Sequence, residues 1–136
     1  MFKRLSIWIG FFAVIIAGLL LATQYFIQPM NTDLSVVGQD KPALVLAYEN
    51  YSPDSGMALN LLNSIKKDYQ HLMSFAVADL GTPQGASFAN RYRLTNGAAI
   101  FLSAEGEPLR VTILTSNEQD LRALLDKKLA LVGIVK

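Results

Sequence analysis

The residues best suited to chemistry are the hydroxyl and carboxyl side chains of Ser52-Pro53-Asp54-Ser55, just ahead of a segment with helical apolar spacing. A serine nucleophile needs a neighbouring base and donors for an oxyanion. His71, the only histidine, follows that segment and is expected at its far end. We therefore expect Ser52 or Ser55 to cap the helix, with Pro53 and Asp54 in its first turn.

Two other groups of charged residues could form sites. Glu49 and Asp54 are a possible carboxylate pair for acid/base work or a hard cation, but no other ligand types stand at a recognisable spacing. We expect Glu49 and Asp54 to be ordinary surface carboxylates instead. Arg91 and Arg93 flank Tyr92, and they are either solvated cations at a helix end or part of a rim that binds a partner.

Composition excludes several classes of function. The 136 residues contain 12 lysines and arginines against 11 aspartates and glutamates, so no electrostatic footprint for nucleic acid exists. With no cysteine, the chain has no disulfides, thiolate metal sites, thiol nucleophiles or lipoprotein anchor. A single histidine excludes paired imidazoles within one chain. We expect neither a cofactor nor a metal, and no enzymatic activity.

The N-terminal stretch has the pattern of a membrane anchor. Lys3 and Arg4 precede Leu5 to Ala22, an 18-residue run in which Ser6 is the only polar side chain. At ~1.5 Å per residue, a helix over residues 5–27 reaches ~34 Å, enough for a bilayer core of ~30 Å. No Ala-x-Ala-like exit marks signal cleavage. The positive-inside rule leaves residues 1–4 in the cytoplasm and places the domain on the other side of the membrane. For a bacterial chain that means a single span in the inner membrane and a domain in the periplasm, which is our expectation.

Beyond the anchor, turn formers with few periodic apolar positions predict a tether over residues 28–40, and residues 41–136 form one domain. Apolar runs and helical spacing predict the order β-α-β-α-β-β-α.

A capping box, Ser116 to Gln119, is expected to begin the last helix. The apolar tail, Ala130 to Val135, either pads the sheet or binds a partner. The predicted strands cover 43–48, 73–80, 98–103 and 109–115, and the first two helices 55–69 and 84–92.

This order resembles thioredoxin over residues 41–130. In that family an aromatic residue and then Cys-x-x-Cys stand at the N-terminus of the long helix. Here Tyr51 is followed by Ser52-Pro53-Asp54-Ser55, so each cysteine position holds serine. A helix N-terminus can ionise a thiol, and the thiolate attacks disulfides. A serine hydroxyl is far too weak an acid for that chemistry. The resemblance thus implies an α/β three-layer sandwich, with a central mixed four-stranded sheet and helices on both faces, and no redox activity.

Two further departures from the family pattern fall on other elements. Leu46 stands where the family has a buried carboxylate, and Ala98 stands where it has a cis-proline. A cis bond before alanine would cost ~2.5–4 kcal/mol, so we expect a trans bond. Departures at three separate places indicate natural loss of the activity.

The resemblance also implies a binding surface, because active family members grip extended peptides beside these residues. We expect this surface, here called the docking face, to bind protein partners without chemistry, in an accessory, assembly or scaffolding subunit of a cell-envelope complex. A periplasmic substrate-holding chaperone, or a residual enzyme using Ser52 and Ser55, are the alternatives. The docking face comprises Tyr51, Ser52, Pro53, Asp54, Ser55, Asn96, Gly97 and Ala98.

Overall fold

The computed structural model describes residues 2–26, 30–114 and 117–134, and within the first range only the side chains of residues 8–21. Helix α1 spans Phe2–Phe26, and its described side chains are all exposed. Within the described part of the chain, no helix has both the length and the apolar character needed to cross a membrane. The anchor expected over residues 5–27 lies partly outside the described residues and stays a prediction.

The rest of the chain forms the predicted alternation of strands and helices, and the bounds differ from the expected ones by two residues at most. A 3₁₀ helix, Leu34–Val36, precedes the first strand. The strands are β1 Ala43–Tyr48, β2 Ser74–Asp79, β3 Ala98–Leu102 and β4 Pro108–Ile113, and the helices are α2 Pro53–Tyr69, α3 Pro83–Tyr92 and α4 Glu118–Leu131.

The four strands form one mixed sheet in the order β2-β1-β3-β4. Strand β1 is parallel to β2 and antiparallel to β3, and β3 and β4 form an antiparallel hairpin. Five of the six β1 residues are buried, as expected of a central strand covered on both faces. The predicted mixed four-stranded sheet is confirmed.

Helices cover both faces of the sheet. On one face, α2 and α4 pack large aliphatic side chains such as Leu62 and Leu125 against Leu44 and Leu46. On the other face the core is built from smaller residues, so α3 comes very near β2. A Cβ added at Gly85 would lie 2.0 Å from the backbone oxygen of Asp79. Glycine is therefore the residue that this contact permits.

The segment expected to be a tether packs on the domain instead. The carbonyl of Asn31 accepts a hydrogen bond from the Val77 N–H at the outer edge of β2, at 2.8 Å. Leu34, Val36 and Val37 pack against the α3-side core. The tether prediction is wrong for residues 31–37, because the apolar side chains there gain more from covering the core than from solvent. Residues 28 and 29 lie outside the described range.

The start of α4 also differs from the expectation. Asn117 is the N-cap, and its Oδ1 accepts hydrogen bonds from the N–H groups of Gln119 and Asp120. The N-cap is thus one residue later than the capping box expected from Ser116, which lies outside the described residues. In the tail, Leu131 is exposed and Ile134 packs against the core that α2 and α4 share, so part of the apolar tail pads the domain.

A polar network joins α2 to α4. Arg122 forms ion pairs with Asp68 at 2.7 Å and with Glu118 at 2.8 Å. The Tyr69 hydroxyl donates to the Asp126 carboxylate at 2.8 Å. Burial of the ring and that hydrogen bond raise the pKa of Tyr69 to about 12. The hydrogen bond from Arg122 lowers the pKa of the Glu118 carboxyl.

The raised pKa of Tyr69 predicts alkaline destabilisation. The folded chain holds the phenolic proton up to a pKa of about 12, whereas the unfolded chain releases it near the ordinary pKa of 10.0. Its contribution is complete below pH 10 and is lost as the pH rises to 12. Tyr69→Phe should flatten the fall in unfolding free energy over this window, and cost about 1 kcal/mol at pH 7. Urea unfolding of the full chain in mild detergent, followed by circular dichroism, measures both.

Tyr51→Phe is the matched control, because the Tyr51 side chain is fully exposed. Its pH curve should run parallel to that of the wild type. An unchanged slope for Tyr69→Phe between pH 10 and 12 would contradict the role given to Tyr69.

Candidate functional site

Tyr51 is the most prominent side chain of the loop between β1 and α2. The loop closes with a hydrogen bond of 3.3 Å from the Ser52 N–H to the Glu49 carbonyl. Tyr51 takes the left-handed conformation, with φ at +67°, and the residue is fully exposed. For a residue with a Cβ, that conformation costs roughly 1–2 kcal/mol. The loop thus accepts backbone strain and still leaves a large aromatic ring in solvent, a combination concentrated at functional sites.

The two serines at the family's cysteine positions are joined by one asparagine. Ser55 is completely buried, and its Oγ accepts a hydrogen bond from the Glu49 N–H at 2.9 Å. The same hydroxyl donates to Asn96 Oδ1. Asn96 Nδ2 donates in turn to Ser52 Oγ at 2.5 Å. We call Ser52, Ser55 and Asn96 the clasp, because they fasten the start of α2 to the loop that precedes β3.

The clasp explains why the capping expectation is only half right. Ser52 is the N-cap residue of α2, as predicted, and its carbonyl accepts from the Gly56 N–H at 3.1 Å. Its side chain makes no capping bond, and its Oγ instead accepts from Asn96 Nδ2. Ser55 does not cap either, because its hydroxyl faces inward. Pro53 and Asp54 lie in the first turn, as expected.

The loop before β3 uses its own backbone groups internally. Gly97 has φ at +81°, its N–H donates to the Ala47 carbonyl at 2.9 Å, and its carbonyl accepts from the Leu114 N–H at 3.2 Å. No cis peptide bond occurs in the part of the chain that the structure describes, so the bond before Ala98 is trans. A bound peptide therefore cannot pair with Gly97 as a strand would.

The serine hydroxyls of the clasp have no histidine beside them. His71 follows the C-terminal end of the 17-residue α2, so the length of the helix, about 25 Å, separates it from Ser52. Glu49 and Asp54 are both exposed. Among the described residues, no group of three or more acidic, histidine or cysteine side chains could hold a metal ion. The hydrogen bonds of the clasp hold the loop in position.

The remaining positions singled out by sequence are separate from the clasp. Leu46 is fully buried in the α2-side core, where it pairs with Val77 and Ala99 across the sheet. Arg91 and Arg93 are exposed at the end of α3, where Arg93 takes a left-handed C-cap conformation. No ion pair of either arginine is found in the described parts of the chain, which leaves both proposed uses open.

The structure brings most of the docking face together. Ser52, Ser55 and Asn96 are hydrogen bonded, and a Cβ at Gly97 would lie 3.7 Å from the Asp54 Cβ. Tyr51 stands apart from the clasp in full exposure. No local pattern in the sequence indicates the bonding role of Asn96, because its serine partners lie 41 and 44 residues away along the chain.

Comparison with solved structures gives many matches. One is the crystal structure of Trxlp from Edwardsiella tarda EIB202, with a TM-score of 0.56 and 17% identity, covering 65% of this chain and 84% of that one. The fold is thioredoxin-like. No protein family and no curated protein matches the sequence. At this identity the likeness establishes the fold alone, so the function must be argued from the clasp and the surface around it.

Proposed function

We propose that this chain is a membrane-anchored, non-catalytic member of the thioredoxin-like superfamily that binds a protein partner through its docking face. It would serve as an accessory, assembly or scaffolding subunit of a cell-envelope complex. The observation that carries the proposal is Tyr51, a fully exposed aromatic ring held on a strained backbone beside the clasp. Absence of cysteine removes thiol chemistry from the scaffold and leaves binding as its use.

Tyr51 has the properties of an anchoring residue in a protein interface. Tyrosine is enriched among the residues that contribute most to binding, because it buries a large area and loses little rotamer freedom. The clasp fixes the loop before a partner arrives, which lowers the entropic cost of association. Because the polar groups of the clasp are occupied internally, the affinity should come from the Tyr51 ring.

Two features support a membrane anchor: the apolar sequence of residues 5–27 and the exposed side chains of α1. Residues 5–27 supply the apolar span, and Lys3 and Arg4 favour an N-terminus in the cytoplasm. In α1, large apolar side chains such as Trp8 and Phe11 are more than 60% exposed, so they need an apolar environment that the domain does not provide. We place the protein in a bacterial inner membrane with one span, and its domain in the periplasm.

Removing the Tyr51 ring should abolish most partner capture. We expect Tyr51→Ala to lower recovery of a stoichiometric envelope partner at least tenfold, which corresponds to about 1.4 kcal/mol. The measurement is affinity purification of the tagged full chain from membranes, with quantitative mass spectrometry. Tyr51→Phe keeps the ring and should retain capture.

The matched control is Ser87→Ala, an exposed position on α3 away from the docking face. Equal recovery by Tyr51→Ala and the wild type would overturn the assignment of the docking face. A broad set of weakly held substrates in place of one partner would favour a holding chaperone. Robust turnover that disappears in Ser52→Ala would establish an enzyme instead.

A further inference from the structure

Strand β4 is an open edge of the sheet with an unusual surface. Its neighbour on one side is β3, and in the part of the chain that the structure describes no strand pairs with the other side. Leu109, Val111 and Ile113 are 39%, 48% and 69% exposed. Natural edge strands commonly carry lysine, proline or a bulge that blocks further pairing. Here Pro108 and a register shift are confined to one end, and Val111 to Ile113 are left unprotected.

Val111 and Ile113 also direct their backbone N–H and C=O groups outward, away from β3. The Leu114 N–H donates to the Gly97 carbonyl, which sets the phase of hydrogen bonding between β3 and β4. In an antiparallel pair, inward and outward backbone groups alternate along the strand. Thr112 therefore bonds to β3, whereas Val111 and Ile113 present their N–H and C=O groups to solvent. Each of these two residues offers an apolar side chain and a free pair of backbone groups.

The strand is complementary to itself. A two-fold axis through Val111 would pair this residue with its own copy and would pair Leu109 with Ile113. The pair at Val111 is of the hydrogen-bonded type, because this residue carries outward backbone groups. Such an axis is perpendicular to the sheet, so the corresponding faces of the two sheets lie on the same side. The exposed side chains of Val111 and Ile113, on the face that α3 covers elsewhere, would thus form one continuous apolar surface.

Charges on the opposite face fit the same register. Arg110 would stand across from Thr112 of the other copy, so no two arginines meet. Asp120, at the start of α4, lines the same small cavity as Thr112 and is exposed. Neither Arg110 nor Asp120 has an ion-pair partner in the described residues. The register thus brings Arg110 of each copy near Asp120 of the other.

We propose that two copies of this chain associate through antiparallel pairing of their β4 strands, centred on Val111, to form one eight-stranded sheet. The Arg110 side chain of each copy contacts Asp120 of the other. This self-association does not involve the docking face, which lies on the loops after β1 and α3. Each dimer would carry two docking faces.

Cysteine cross-linking tests the register directly, because the natural chain contains no cysteine. Opposite residues of a hydrogen-bonded pair have Cα atoms about 5.5 Å apart, within the range a disulfide spans. We expect Val111→Cys in the full chain, in detergent micelles with copper–phenanthroline, to form covalent dimers at least tenfold faster than Ser87→Cys. Equal rates for the two variants would overturn the proposal. Mixing Leu109→Cys with Ile113→Cys chains should give a heterodimer.

A charge swap provides a second readout that does not depend on cross-linking. Arg110→Glu should shift the full chain toward monomer in native mass spectrometry, because the introduced carboxylate would then face Asp120 of the other copy. The double variant Arg110→Glu, Asp120→Lys should restore the dimer. A dimer insensitive to Arg110→Glu, or no rescue by the double variant, would exclude this register. Wild-type monomers carrying a foreign peptide on the edge would show that another chain occupies β4.

Discussion

Gly85→Ala should lower the free energy of unfolding by about 3 kcal/mol, the largest effect we expect from a single methyl group in this chain. The new Cβ would lie 2.0 Å from the backbone oxygen of Asp79, 2.5 Å from its carbonyl carbon and 2.6 Å from its nitrogen. All three atoms belong to the main chain at the end of β2, so no side-chain rotation can relieve the clash. Helix α3 would have to move away from the sheet and open the core behind it.

Gly56→Ala is the matched control for this substitution. Gly56 also lies near the start of a helix, but a Cβ there would meet no atom within 4 Å. Alanine should therefore stabilise α2 by up to about 1 kcal/mol through its higher helix propensity. Urea unfolding of both full-length variants in the same detergent measures the contrast. A loss below about 1 kcal/mol for Gly85→Ala would show that the contact between α3 and β2 is looser than described.

Asn96→Ala should lower the free energy of unfolding by about 2 kcal/mol. The substitution removes the acceptor of the Ser55 hydroxyl and the donor to Ser52 at once. Because Ser55 is completely buried, its O–H would lose its partner without gaining water, and such a loss costs roughly 1–3 kcal/mol. Chemical unfolding of the full chain measures the change.

Asn90→Ala, an exposed asparagine on α3, should change stability by less than about 0.5 kcal/mol. A double-mutant cycle with Ser55→Ala isolates the bond itself, and a coupling energy near ~1 kcal/mol is expected for groups in contact. Additive effects of the two substitutions would contradict the clasp. Asn96→Ala should also reduce partner capture, because the loop that carries Tyr51 loses the contact that fixes its position.

The elements were predictable from sequence because their signals are local. The continuous apolar run Ala43–Tyr48 marked a strand covered on both faces, and the helical spacing of Ala58 to Tyr69 marked α2. Both signals arise from neighbours along the chain, so they survive without knowledge of the fold. The thioredoxin-like arrangement then followed from the element order.

The predictions failed where a segment forms hydrogen bonds with residues that are distant in the sequence. Nothing near Asn31 shows that its carbonyl bonds to Val77, since that contact depends on where the edge of β2 lies. Ser52 has the residue type of a capping side chain, but its hydroxyl bonds instead to Asn96, which is remote in sequence. The docking face was proposed from family resemblance, whereas the hydrogen bonds of the clasp required coordinates.

The hydrogen bond from Val77 to Asn31 limits how far the domain can rise above a bilayer. If the anchor ends at residue 27, the few peptide units that connect it to a residue fixed on β2 extend at most about 14 Å. Under the proposed anchoring, the domain would then lie close to the lipid headgroups with its β2 edge near the membrane. Under this proposal, a partner for Tyr51 would have to reach a domain held close to the bilayer, which favours other membrane proteins over freely diffusing ones.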